Sequence, residues 1–191
     1  MRTRVVAFVL LMLVAGGPGA SAASPDEAVA GWVRSWDAPW LGEVARLGEA
    51  PVHLGAVLVL LAAGDGGSAG RVVEAEVGAA VATWAGKVAL GRARPWTGEG
   101  AARFAGPSLA EAHHSFPSGH TSSAFALATV LAGRYPDGAV VWYALAAGVG
   151  LSRIYTGDHW PSDVLAGAAV GHLAGRAALE GRPWFGFRWN F

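Results

Sequence analysis

Two histidines, one aspartate and three cations stand in this chain at spacings that suit phosphate chemistry. His159 precedes Asp163 by four residues, one helical turn, so the carboxylate can reach the Nδ1–H of the ring. Such a bond would fix the tautomer, leave Nε2 free and stabilise the cation formed after attack. Arg153 lies just upstream and offers a planar fork that matches phosphate oxygens. A histidine so oriented, among cations, is a nucleophile for phosphorus. Asp158 adjoins His159 but would face elsewhere on a helix, so it ranks second.

His120 closes the run Pro117-Ser118-Gly119-His120. Pro-Ser-Gly before an apolar stretch marks a helix N-terminus, with Ser118 as the cap candidate. Free N–H groups and the positive end of the dipole attract an anion there, and Gly119 lets the backbone come close. A first-turn His120 would be placed to protonate a leaving oxygen. Lys87 and Arg94 form the third group. Seven residues is almost two helical turns, which would put both side chains on one face beside a phosphate. A solvated basic helix end, favoured by the dipole, is the plainer reading of that pair taken alone.

These residues need rigid elements to bring them together. Ser24-Pro25-Asp26-Glu27 reads as a capped helix start, followed by Trp32, Trp36 and Trp40 at four-residue spacing, although Pro39 interrupts that helix. A core stripe is the expected role of these tryptophans, and an aromatic face touching lipid is the alternative. Leu41 to Leu47 is amphipathic, and Pro51 to Ala63 is apolar except for His53, which is read as structural. Gly64 to Gly70 reads as a loop, and Arg71 to Gly91 as a helix that Pro95 stops. Trp96 to Phe116 is a long loop between two site motifs, suited to a lid or a substrate contact. Thr121 to Gly133, Ala139 to Leu151 and Pro161 to Leu179 are further helices, and the tail from Trp184 to Phe191 is a short strand or an aromatic flap. Strand signals are nearly absent. The expected fold is all-α, a single-domain bundle of about six helices with the site at the helix ends.

Composition narrows the class. The 191 residues carry a formal net charge of zero and only 15 % charged residues, which gives nucleic acid no basic surface. Cysteine is absent, so disulfides and thiolate sites are excluded. Arg2 and Arg4, the apolar run Val5 to Val14 and Ala20-Ser21-Ala22 follow the order of a secretory signal. Residues 1–22 are therefore expected to be a signal peptide and 23–191 an exported domain, periplasmic or otherwise extracytoplasmic. An uncleaved anchor is the alternative. No later segment has an unbroken apolar run of membrane-spanning length, and Glu74 and Glu76 interrupt one helix; both features lean against a multi-span protein.

Taken together, Lys87-x6-Arg94-Pro95, Pro117-Ser118-Gly119-His120 and Ser152-Arg153-x5-His159-x3-Asp163 resemble the three signature motifs of the type 2 phosphatidic acid phosphatase and vanadium haloperoxidase superfamily. The resemblance runs from Lys87 to Asp163 and lies with the bacterial phosphatases. It implies an all-helical core and hydrolysis of phosphomonoesters or pyrophosphates without a metal or other cofactor. His159 would form a phosphohistidine and Asp163 would orient it. His120 would protonate the leaving alcohol and then activate water. Lys87, Arg94, Ser118, Gly119 and Arg153 would hold the phosphoryl oxygens. The implied partner is a small-molecule or lipid phosphate such as phosphatidate or undecaprenyl pyrophosphate, with membrane contact open and no oligomeric state assigned. Vanadate would bind as an inhibitor. Under the alternative, a vanadate-dependent haloperoxidase, it would be the cofactor, with His159 as its axial ligand. A non-enzymatic scaffold is the remote third reading.

Overall fold

The computed structural model describes residues 24–182, and among them there is no β-strand, only an isolated bridge between Arg92 and Phe104. The expected signal peptide and the aromatic tail from Trp184 to Phe191 lie outside the described residues. Seven α-helices follow in order: α1 (Pro25–Arg34), α2 (Trp40–Val44), α3 (Ala50–Ala62), α4 (Gly66–Leu90), α5 (Gly119–Arg134), α6 (Ala139–Tyr155) and α7 (Pro161–Leu179). The all-α single-domain expectation holds. The helix count rises by one because Trp40–Val44 forms a short helix of its own before a 3₁₀ turn at Ala45–Gly48.

Local chemistry explains the boundaries. At α1, Ser24 accepts from the Glu27 N–H while the Glu27 carboxylate takes the Ser24 N–H, with Pro25 in the first turn. The glycine-rich stretch after Gly64 is not a loop. Asp65 caps it through the Ser68 N–H, and α4 begins at Gly66. This helix ends at Leu90 because Gly91 turns left-handed at φ 57°, earlier than Pro95 would require.

Helix α5 is the centre of the bundle and packs on α4, α6 and α7. Its closest partner is α7, whose face carries Gly167, Gly171 and Gly175 at four-residue intervals. A Cβ on Gly171 would sit 2.0 Å from the Ser122 carbonyl oxygen, and one on Gly167 would sit 2.5 Å from that of Ser118. Only backbone without a side chain permits this approach. It brings the start of α5, with His120, against the start of α7, with Asp163.

The surface departs from the sequence reading. Trp32 and Trp40 are 59 % and 62 % exposed, so the core stripe is overturned for both; Trp36 alone is half-buried against Ala30, Val33 and their neighbours. Helix α3 exposes Leu54, Leu58, Val59 and Leu61, and α4 exposes Val73, Val77, Val81 and Trp84. One stretch among the described residues, Pro136–Tyr155, is long and apolar enough to cross a membrane, and Trp40–Gly48 with Ala50–Ala62 passes the same test as a pair bent by 56°. The exposed apolar surface is assembled from the outer faces of several helices.

Candidate active site

The site forms where three chain segments meet: the end of α4 with residues 91–94, the start of α5, and the α6–α7 connection. The long segment 95–118 lies across them and is tied down by backbone bonds. Ala105 N–H donates to Gly91, Ser108 to Val88, and Ser115 to Arg92, while Ala93 and Arg94 donate to Arg103 and Ala112. Its carbonyls also hold functional side chains. Lys87 Nζ donates to the His114 oxygen at 2.6 Å, and Arg94 Nε donates to that of Glu111 at 3.1 Å. The segment expected to be a lid or a substrate contact also serves as scaffold for these two cations.

His159 is 2 % exposed. Its Nδ1 donates to the Ser115 carbonyl at 2.8 Å, whereas the Asp163 carboxylate oxygen is 3.7 Å away. The expected bond from His159 to Asp163 is therefore corrected: 3.7 Å is too long for a hydrogen bond. A backbone carbonyl fixes the tautomer instead, and Nε2 keeps its lone pair. Burial pulls the His159 pKa down to about 4, with Lys87 and Arg94 adding to the effect and Asp163 opposing it, so the ring is neutral near pH 7.

Asp163 acts one step back. Fully buried, it takes the Ser115 hydroxyl at 2.5 Å, the Trp160 N–H at 2.8 Å and Arg92 Nη1 at 2.5 Å. Its own carbonyl accepts the Ser118 N–H at 3.0 Å and so joins two of the motifs. Burial raises its pKa, but the bond from Ser115 and the Arg92 cation outweigh that and hold it below the ordinary carboxylate value.

The structure adds Arg92, Ser115 and Asp26, to which the sequence assigns no role in the site. Arg92 gives all five of its N–H donors to the protein: Nε and Nη2 to the Ala101 oxygen, Nη1 to Ser162 and Asp163, and Nη2 to Asp26. Asp26, on α1, also accepts the Ser162 N–H and hydroxyl at the start of α7. Arg92 thus has nothing left for a ligand. Arg153 differs: Nη2 meets Asp158 at 3.0 Å, while its buried Nε has no partner among the described residues. Asp158, ranked second in the sequence, steadies this cation. No periodicity marks Ser115 or Asp26, and Arg92 was hidden inside Gly-Arg-Ala-Arg-Pro.

Lys87 and Arg94 do approach the same point, but not from one helix face. Lys87 is on α4, whereas Arg94 lies beyond Gly91 in extended backbone. Burial and the nearby Arg94 lower the Lys87 pKa to about 8. Ser118 stands at the start of α5, fully buried, and its hydroxyl accepts from Thr121 at 2.9 Å. It makes no side-chain cap, so the first-turn N–H groups from Gly119 onward are left for an anion. His120 packs beside Gly48, where a Cβ would come within 3.1 Å of its own. Burial first and then Arg153 lower the His120 pKa to about 4.

This arrangement can hold a tetrahedral dianion among Lys87, Arg94, Arg153 and the Gly119 amide, with two neutral imidazoles, His120 and His159, close to those cations. A sequence model described as the PAP2 superfamily matches residues 68–186. The lipid A 1-phosphatase of Porphyromonas gingivalis is 44 % identical over 95 residues, which are 48 % of this chain and 18 % of that protein. The chain spans less than half the length of the curated relatives it matches. Among solved structures, LpxE of Aquifex aeolicus aligns with a TM-score of 0.60 at 24 % identity, covering 92 % of this chain and 94 % of that one. A transmembrane PAP2-type phosphatidylglycerolphosphate phosphatase of Bacillus subtilis aligns with a TM-score of 0.64 at 23 % identity, covering 93 % and 94 %. Both alignments speak to the fold.

Proposed function

This chain belongs to the PAP2 superfamily, and on that premise we propose that it is a membrane-associated phosphatase that hydrolyses a lipid phosphate through a phosphohistidine. The observation that carries the reading is His159: a neutral ring whose Nδ1 is committed to the Ser115 carbonyl, leaving Nε2 its lone pair, with Lys87 and Arg94 close by. The unpartnered Nε of Arg153 adds a donor that a phosphoryl oxygen would satisfy.

Nε2 of His159 attacks phosphorus and the bond to the leaving oxygen breaks. Lys87, Arg94, Arg153 and the Gly119 N–H stabilise the equatorial oxygens throughout. His120 gives its proton to the leaving alkoxide. It then takes one from a water that attacks the phosphohistidine, releasing phosphate and restoring His159. A ring with a pKa near 4 is a poor proton carrier at neutral pH. The substrate corrects this, because a phosphate dianion offsets the cation that depresses His120 and raises its pKa in the complex.

Exposed Trp32 and Trp40 and the apolar outer faces of α3 and α4 support contact with a bilayer. An exported, extracytoplasmic location agrees with the N-terminal pattern of the sequence. The relatives named above carry phosphatase names, and no observation favours the haloperoxidase alternative.

Phosphate release by the purified chain tests the reading, with EDTA present and an aryl phosphate, phosphatidate and an isoprenyl pyrophosphate offered in detergent. Release from a lipid, abolished by His159→Ala, is expected. Loss of activity in EDTA that Mg²⁺ restores would remove the metal-free mechanism, and no release from any of them would remove the phosphatase.

A further inference from the structure

A cleft of about 670 Å³ opens from Gly119 and His120 and runs between α3 and α4. Its outer part is hydrocarbon, lined by Leu54, Val57, Val73 and Val77. Leu54, Val73 and Val77 are exposed, so the cleft is open along its apolar flank. Between this part and His120 stands a band of polar side chains: Glu49, Glu76, His53 and Ser123. The mechanism uses none of them.

The band is a built structure. His53 is 5 % exposed; its Nε2 lies 2.9 Å from the Leu47 carbonyl and its Nδ1 lies 2.6 Å from Glu76 Oε1. Both ring nitrogens face acceptors, so both carry protons and the ring pairs as a cation with the Glu76 carboxylate. Burial opposes the charge, but the bond to Glu76 outweighs it and holds the His53 pKa above its ordinary value. The Ser123 hydroxyl donates to the other Glu76 oxygen. A carboxylate offers about four acceptor sites, and His53 and Ser123 take two. The Glu76 side chain remains 22 % exposed, and it faces the cleft. Its spare lone pairs are acceptors that the protein leaves unused.

Position gives this a meaning. Ser123 follows His120 by three residues on α5, so the two are neighbours, about 5–6 Å apart at Cβ. Outward from the phosphate site the order is cations, His120, a fixed acceptor, then hydrocarbon. We propose that Glu76, held by His53 and Ser123, selects leaving alcohols that carry a hydrogen-bond donor, a hydroxyl or an amide N–H, close to the phosphoester and a hydrocarbon chain beyond it. Glu76 is a specificity-determining residue in this cleft. Isoprenyl pyrophosphates, which lack such a donor beside the phosphate, bind less well. The inference rests on the phosphatase reading in taking His120 as the leaving-group end.

Calorimetry on the full His159→Ala chain in nonionic detergent tests it without turnover. Two probes are titrated: dodecylglycerol phosphate, which has one free hydroxyl, and dodecyloxypropyl phosphate, which lacks it. The hydroxyl compound should bind about tenfold more tightly, the range expected of a hydrogen bond to a charged acceptor. Adding Glu76→Gln should bring the two affinities within about threefold. Val77→Trp, which fills the hydrocarbon part, should weaken both and keep their ratio. Equal affinities in the parent protein, binding of neither probe, or an unchanged ratio in Glu76→Gln would each overturn the proposal. If Glu76→Gln does not fold, the ratio in the parent protein decides. Equal kcat/KM on the two probes with the wild-type chain would overturn the subsite while leaving the phosphatase intact. Selective binding without any phosphate release would do the reverse.

Discussion

Around His159 the polar side chains are buried and fixed: Arg92 has no donor to spare, Asp163 accepts three bonds, and Ser115 and His114 lend carbonyls to His159 and Lys87. Along α3 and α4 the opposite holds, and leucines, valines and Trp84 stand in the open. The first region depends on geometry, because a buried polar group that loses its partner is costly. The second depends on area and tolerates substitution, because exposed side chains have little packing to lose. The two regions should therefore fail in different ways, one on every substrate and the other on lipids alone.

The largest contrast comes from His159→Ala, which should abolish release from soluble aryl phosphate and from lipid phosphate alike. Residual turnover comparable to wild type would end the nucleophile assignment. His120→Ala should be selective within the same region and lower kcat/KM, which reports expulsion of the leaving group, far more for an alkyl phosphate than for an activated aryl phosphate. Equal slowing of the two esters would remove the general-acid role.

Arg92→Met comes next. It leaves Asp163 and Asp26 buried without their cation and should cost about 3–5 kcal/mol of stability, read as a fall in Tm. A Tm within a degree of wild type would show that the region around His159 is not held as described.

A smaller effect is expected from pH. His159 must be neutral to attack, and its pKa is lowered to about 4, so kcat/KM should fall as pH drops through about 4. Lys87 must be charged to bind phosphate, and its pKa is lowered to about 8, so the affinity of the His159→Ala chain for inorganic phosphate should fall as pH rises through about 8. Lys87→Arg should move that alkaline limb upward, since guanidinium stays charged. An unmoved limb would assign it to another group.

The smallest effect belongs to the apolar side. Changing Trp32 and Trp40 together to Ser should shift stability by no more than about 0.5 kcal/mol per site and leave aryl phosphate hydrolysis unchanged. Binding to phospholipid vesicles should weaken. If aryl hydrolysis fell in step with vesicle binding, the separation of the two regions would be wrong.

Helix α7 was legible to the residue, from Pro161 to Leu179, because a proline start and steady apolar spacing are local signals. The start of α4 was not, since Gly66 to Gly70 has loop composition and becomes helical only with the Asp65 cap and packing against α5 and α7. Of the site, His159, His120 and the three cations could be picked out by residue type and spacing. Their mutual arrangement could not. Helical periodicity suggested one face for Lys87 and Arg94, and one turn suggested a bond between His159 and Asp163. Gly91 breaks the first relation, and the Ser115 carbonyl takes the place of the second.

The sequence by itself determined the helical class, the residues able to hold and attack a phosphate, and the family motif they compose. Those follow from side-chain type and short spacing, which are properties of the chain alone. The tertiary structure decided which carbonyl orients His159, which arginine is spent on scaffolding and which is left for a ligand, and where apolar side chains meet the outside. These depend on segments far apart in the chain: Asp26 beside Ser162, Arg92 beside Asp163, and the glycines of α7 against the backbone of α5. A hydrogen bond forms over about 3 Å and is indifferent to distance along the chain, so only the folded molecule can assign its partner.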